Sequence, residues 1–486
     1  MSNQPHSSAN EVDTPPQLWK GAAPLPFFAT LIFGSVLWLL PVPEGLDTRT
    51  WHLFAIFVST IFAIIVKPLP MGAITLISLA FCLGTKTLTL NEALGHFNSN
   101  IVWLVVFAFF IARAFIKTGL GNRIAYWFIA IFGSSSLGLA YSLVLSEFLL
   151  SPAVPSNTAR GAGIMFPIAK SLCEAQGSLP DKNTRKKLGA FLIKVCFQTN
   201  VLVSALFITA IASNPLIVSL AADVDIEITW LSWATATIVP GLINLGVLPL
   251  VIYFFCTPHL KKTPEAPQMA RRKLQELGRL KFDEQLMMLS FGTLLSLWVF
   301  GDYLGIDAAT AALFGCAFLL FTGILKWDDI IKEKAAWETL IWFAVLLMMA
   351  SLLNKFGMIK WFSSHVQSTV GHLDWRFSLT ILALIYFYTH YFFASATAHV
   401  SSMYSAFLVV ALATGAPPML AAMLLAVVSS LCGGLTHYGT GSAPVYFGAG
   451  YLPVAEWWRT GGIVSMINLL IWFTVGGLWW KYIGLW

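Results

Sequence analysis

Apolar runs of about twenty residues follow one another along this chain, separated by short charged connections, and few folds accommodate that pattern. Candidate full spans lie near 22–41, 51–67, 69–90, 100–118, 187–211, 230–256, 285–303, 306–325, 336–354, 417–435 and 460–483. The runs are too long for strands and lack period-two alternation, which argues against a β-barrel. Only 11% of the 486 residues are charged and 57% are hydrophobic, whereas a soluble globule carries about 25% charged residues. The expected fold is an all-α polytopic membrane protein with about eleven transmembrane helices; its surroundings are the lipid bilayer.

The net charge of +6 belongs to loops between the spans, so it sets orientation and does not signal nucleic-acid binding. The segments "DKNTRKK" (181–187) and "HLKKTPEAPQMARRKLQELGRLKF" (within 257–283) are basic, and 219–229 is acidic. The positive-inside rule then puts the N-terminus in the cytoplasm and the C-terminus outside. Residues 1–21 are polar, hold Pro and Ser, and read as a disordered tail. The six cysteines (Cys82, Cys173, Cys196, Cys256, Cys316, Cys432) show no CxxC spacing, so the sequence suggests neither a metal site nor disulfides. Lys194, in an otherwise apolar span, is expected to snorkel.

Two regions do not fit simple spans. Residues 136–175 and 376–414 each hold two apolar halves around a polar centre, and each reads as a re-entrant helical hairpin. The segment "NIVWLVVFAFFIARAFIKTGLG" (100–121) before the first resembles "ETLIWFAVLLMMASLLNKFGM" (338–358) before the second. An odd number of spans between them makes the units inverted repeats, an arrangement that puts a substrate site near the midplane. The divisions are then N-terminal scaffold helices at 22–90, a first repeat at 91–256, a basic cytoplasmic loop at 257–283 and a second repeat at 284–486.

The hairpin tips correspond place by place. Ser156-Asn157-Thr158-Ala159-Arg160 matches Ser395-Ala396-Thr397-Ala398-His399, and Ser395 follows Ser156 by 239 residues. Hydroxyls occupy the first and third places, and an actual or potential cation the fifth. The start of a returning half-helix offers free N–H groups and the positive end of its dipole, which favour an anion. Two such tips suit a dicarboxylate. The competing use of Ser, Asn and Thr is helix capping; for Arg160 it is an ion pair with Glu147 or snorkelling. Each half also contains a broken helix, expected at Ser213-Asn214-Pro215 and around Thr436–Pro444, where Thr436, His437 and Thr440 cluster. His390 and His365 read as packing or interfacial residues.

These motifs resemble the divalent anion/sodium symporter family, in particular the branch of 2-oxoglutarate/malate translocators and bacterial anion permeases. The likeness rests on Ser156–Thr158, on Ser395–Thr397 and on "GGLTHYGTGSAPVYFGAGYLP" (433–453), and it extends from about residue 22 to the end. It implies a homodimer in the inner membrane, a scaffold with a mobile transport domain, elevator-type alternating access, and dicarboxylates or tricarboxylates held by tips and breaks. The second tip departs from that pattern at Ala396, and the fifth places hold Arg160 and His399 where sodium-coupled members carry small neutral residues. A tethered cation beside each tip would need a bound dianion to cross low dielectric, which predicts exchange; the alternative is sodium-coupled symport. No nucleophile–base pair, HExxH motif, metal site or cofactor site is apparent, so neither an enzyme nor a cofactor is expected.

Overall fold

A computed structural model describes residues 21–370 and 373–486, and the described residues are helical throughout apart from turns and one isolated bridge between Ser135 and Lys262. The expected tail lies outside the described residues, save Gly21. Seven of the described helices are long and apolar enough to cross a membrane: Thr48–Val66, Asn100–Thr118, Trp230–Phe255, Phe282–Gly301, Lys334–Lys355, Ala396–Ala413 and Val454–Tyr482. Other expected spans form shorter helices of 14 to 16 residues, namely Pro24–Leu39, Met71–Gly84, Gly189–Ser204, Ala308–Phe321 and Pro418–Leu431. At 1.5 Å per residue these are roughly 21–24 Å long. Their apolar runs include turn residues that bound the helix, such as Pro70, where Met71–Gly84 starts, and Gly323 (φ +75°), just after Phe321.

The chain repeats one succession of elements. The first round runs Thr48–Val66, Met71–Gly84, Leu90–Leu94, Asn100–Thr118 and Leu120–Phe132. It continues with a hairpin entering by Ser136–Leu150, a broken helix (Gly189–Ser204 and Ser213–Ala222) and the long Trp230–Phe255. The second round runs Phe282–Leu304, Ala308–Phe321, Trp327–Lys332, Lys334–Lys355 and Met358–Val370. Its hairpin enters by Trp375–Thr389, its broken helix is Pro418–Leu431 with Ala443–Gly448, and its last helix starts at Val454. Packing exchanges partners between rounds: Asn100–Thr118 lies on Ala308–Phe321, and Lys334–Lys355 lies on Met71–Gly84. The two rounds thus interlock, each lending a helix to the other's packing.

Local chemistry sets the hairpins in place. Both entering limbs have 15 residues and a side-chain cap: Ser135 Oγ accepts from Gly138 N–H, and Asp374 accepts from Arg376 and Phe377 N–H. The basic 257–283 segment contains a helix, Glu265–Leu277, which buries Ala266 and Ala270 and packs against Leu120–Phe132. Beside it Arg123 grips Glu284 through two bonds of 2.8 and 2.9 Å. Lys194 does not snorkel. It is fully buried, donates to Trp457 O at 3.0 Å, and lies 3.9 Å from the centre of the Trp457 ring. A carbonyl dipole and a π face therefore meet its charge inside the bundle.

Candidate functional site

Both hairpins turn at serine. Ser156 Oγ accepts from Ala159 N–H at 3.1 Å, and Ser395 Oγ accepts from Ala398 N–H at 3.4 Å. A hydroxyl that caps a helix with a lone pair keeps its own hydrogen free to donate, so capping does not exclude ligand binding at these residues. Thr158 and Thr397 are half-buried at the tips, and Asn157 is buried, with its Oδ1 accepting weakly from Thr158 at 3.4 Å. The first returning limb relaxes into a π turn at Gly161–Met165 ahead of Pro167, whose ring excludes regular bonding to the preceding turn.

The first break lies earlier than the sequence suggests. Gly189–Ser204 ends, a single tight turn forms at Ile208–Ala210, and the chain resumes as Ser213–Ala222. Ser213-Asn214-Pro215 therefore opens the second half-helix and does not interrupt it. Pro215 is tolerated in that first turn because an N–H there has no intrahelical partner. Asn214 Nδ2 donates to the freed carbonyls of Ser204 and Phe207 at 2.7 and 2.8 Å. The second break runs from Cys432 to Ser442, as the cluster of Thr, Gly and Ser predicts. Ser213 Oγ and Thr436 Oγ1, one at each break, are buried with no hydrogen-bond partner among the described residues. Thr440 is buried and its hydroxyl bonds that of Ser442 at 3.1 Å.

These parts converge. Ser442 Oγ donates to Asn200 Oδ1 at 2.8 Å, Tyr446 OH to Gly161 O at 2.9 Å, Gln198 Nε2 to Gly434 O at 2.8 Å and Ser430 Oγ to Asn214 Oδ1 at 3.3 Å. A Cβ on Gly441 would lie 2.3 Å from Thr158 Oγ1, so the second break passes directly over the first tip. The second returning limb, Ala396–Ala413, packs on Ser213–Ala222. Each tip thus meets the broken helix of the other repeat.

Arg160, at the fifth place of the first tip, turns into the protein and finds its partners there. It is fully buried, and its guanidinium donates to Val154 O and Ala210 O at 2.8 Å each, to Ser204 Oγ at 3.0 Å and to Glu147 Oε1 at 3.3 Å. Glu147 is also fully buried, and accepts from Asn200 Nδ2 at 2.6 Å. Of the two structural alternatives, the ion pair holds. The pair cancels its own charge and ties the first tip to the first break, so Arg160 is not an uncompensated cation waiting for cargo.

The second repeat replaces this pair with rings. Tyr386 stands 239 residues after Glu147, and His399 the same distance after Arg160. Their rings are 4.3 Å apart, and Tyr386 OH bonds Ser429 Oγ at 2.9 Å, much as Glu147 bonds Asn200. His399 is fully buried beside His390 and Cys432. His437 is set apart: it accepts from the Trp458 indole at 3.0 Å and packs on Tyr438, Phe447 and Trp458, none of which belongs to a tip. Asn200 and Ser442 join the site unannounced by the sequence, because both lie far from the first tip along the chain and packing brings them in. Tyr386 and His390 stand on the second hairpin just before its tip, where the sequence offers His390 only as a packing or interfacial residue.

Residues 22–486 match the family described as "Sodium:sulfate symporter transmembrane region". The chain belongs to this family. Within it, the chain is 52% identical over 463 residues to the "Putative malate transporter YflS" of Bacillus subtilis, covering 95% of this chain and 97% of that protein. It is 51% identical over 473 residues to "Dicarboxylate transporter 1, chloroplastic" of Spinacia oleracea, covering 97% of this chain and 83% of that one. The fold is similar to that of the solved Alcanivorax borkumensis YdaH transporter, with a TM-score of 0.57 at 13% identity over 90% of this chain and 99% of that chain. A family of membrane transporters accords with a chain whose polar groups gather around two interrupted helices.

Proposed function

We propose that this chain carries dicarboxylates of the malate, 2-oxoglutarate and succinate class across a membrane, exchanging one on each side. The observation that carries the reading is the pairing of two serine-capped hairpin tips, each against the other repeat's broken helix. In this reading each tip takes one carboxylate: Ser156, Asn157 and Thr158 at one, Ser395 and Thr397 at the other, with Ser213, Asn214, Thr436 and Thr440 lining the breaks. Arg160 holds the first tip in shape, and His399 the second; His437 contributes from a greater distance through the second break. The relatives named as malate and dicarboxylate transporters support this cargo.

Exchange follows from the cradles themselves now that Arg160 is balanced. A helix start carries roughly half a positive charge and unsatisfied N–H groups. Moving an empty cradle through low dielectric leaves those donors without partners, at several kcal/mol; a bound carboxylate supplies the partners. The loaded carrier crosses and the empty one stays. The same reading takes the chain as a homodimer with elevator-type movement, in an inner membrane with its N-terminus in the cytoplasm, and as a carrier without enzymatic activity or cofactor. Sodium-coupled symport is the second reading, favoured by the family's description.

Proteoliposomes test the choice. Uptake of labelled malate is expected to require internal diacid and to persist in sodium-free buffer. Uptake that collapses without sodium, or that proceeds into vesicles lacking internal diacid, refutes exchange.

A further inference from the structure

Beside the second tip lies a group of side chains to which the proposed reading gives no contact with cargo. One ring nitrogen each of His390 and His399 and the sulfur of Cys432 lie within 4.8 Å of one another, and all three residues are fully buried. His390 closes the entering limb, His399 lies in the first turn of the returning limb, and Cys432 opens the second break. They are scattered along the sequence, so no spacing motif reveals them.

The hydrogen bonds fix which ring atoms are free. His390 Nε2 lies 2.8 Å from Gly439 O, and a carbonyl only accepts, so Nε2 carries the proton. His390 Nδ1 is then a bare lone pair, buried and without a partner among the described residues. His399 Nε2 lies 3.4 Å from Thr389 Oγ1, whose own hydrogen goes to Tyr386 O at 2.9 Å, so the imidazole donates there too. That leaves His399 Nδ1 bare, 3.9 Å from Cys432 Sγ. Outer bonds that fix the tautomer and point the other nitrogen inward are what metal-ligating histidines require.

We propose that His390, His399 and Cys432 bind one soft monovalent cation, Cu(I) or its redox-inert counterpart Ag(I). Two imidazoles and a thiolate are soft enough for such an ion. With metal–nitrogen and metal–sulfur bonds of about 2.0 and 2.3 Å, ligand atoms stand roughly 3.5–3.7 Å apart in a trigonal site and about 4.3 Å apart across a linear one. His399 Nδ1 and Cys432 Sγ, 3.9 Å apart, stand close to that range, and the group as a whole, within 4.8 Å, must draw closer to close around an ion. Charge selects the ion: the thiol releases its proton to bulk water, the thiolate meets one positive charge, and the filled site is neutral. A divalent ion would leave a net positive charge at a buried place with no carboxylate in the group, which is unfavourable. The bound ion joins both limbs of the second hairpin to the second break, and so immobilises the Ser395–Thr397 cradle. That consequence rests on the proposed transport reading, whereas the binding does not.

The test uses the full chain in detergent and chloride-free buffer, with Cys82, Cys173, Cys196, Cys256 and Cys316 replaced by Ala and Ag(I) as the probe. One Ag(I) per chain is expected, with a higher melting temperature. Cys432→Ser, His390→Gln and His399→Gln should each weaken binding at least a hundredfold, and the rise in melting temperature on adding Ag(I), read against each variant's own metal-free melt, should be lost. Equal affinity in both histidine variants would mean a lone thiol adduct and would overturn the site, as would absence of binding. Should the five-fold replacement fail to fold, the stoichiometry of the native chain minus that of Cys432→Ser gives the same answer. In proteoliposomes, Ag(I) should abolish malate exchange only where Cys432 is present; binding without inhibition leaves the site standing and removes its link to transport.

Discussion

Replacing Arg160 by Met separates two accounts of this residue. If Arg160 addressed cargo, its loss would raise the apparent KM and leave stability alone. The structure predicts the reverse. Glu147 and Arg160 are both fully buried and bonded to each other, and Arg160 also donates to two carbonyls and a serine across the first break. Removing one partner of a buried pair costs about 3–5 kcal/mol, because the other charge stays unmatched. Arg160→Met and Glu147→Leu should each lose about that much. The double variant should lose no more than the worse single one, since no charge is then stranded, which makes the coupling energy at least about 3–5 kcal/mol. Unfolding of the four proteins in a graded detergent denaturant gives the cycle, and exchange in proteoliposomes gives KM. Additive losses, or an Arg160→Met protein of native stability with a raised KM, would refute the brace.

Asn157→Ala and Thr397→Ala remove groups assigned to the two carboxylates, and a hydrogen bond to a charge is worth about 1.5–3 kcal/mol. Each should weaken malate affinity roughly ten- to a hundredfold in counterflow, and native affinity in both would return these residues to capping alone. Gly441→Ala puts a Cβ 2.3 Å from Thr158 Oγ1, so the threonine must rotate away or the second break must shift. Exchange should fall sharply, and Gly441→Ala with Thr158→Ala should recover stability, measured by melting, without recovering transport. Asn200→Leu breaks three bonds at once, to Glu147, Asn157 O and Ser442. It should lower stability by more than Ser442→Ala does, and equal losses in the same unfolding titration would show that Asn200 acts only through Ser442.

The parts that were legible in the sequence are those written in local patterns. Apolar runs gave the membrane helices, and Ser156 and Ser395 gave both hairpin turns, because an Ser at a helix start announces itself through its neighbours. The first break lies before Ser213 and not at it, although Pro215 in the sequence suggests an interruption there. Proline marks a boundary without saying on which side it falls, and here it opens a helix. The short helices were overestimated for a related reason: an apolar window does not register a turn at its edge.

Arg160 shows why the interior was harder. The matched fifth places of the tips are real, and the sequence identified them. Position alone could not say where the guanidinium points, because its partners come from Glu147, Val154, Ser204 and Ala210 on three separate elements. The same place in the second repeat shows that the equivalence is one of position and not of charge. There Tyr386 and His399 fill the space of an ion pair with two rings, and Ser429 substitutes for Asn200. A pair that can be exchanged for an aromatic contact is holding a shape. In the proposed reading, attracting an anion then falls to what both tips share: a helix start capped by a serine. Each tip takes one carboxylate in that reading, so giving the cargo to Arg160 would leave the second tip, which has no comparable charge pair, without an equivalent group.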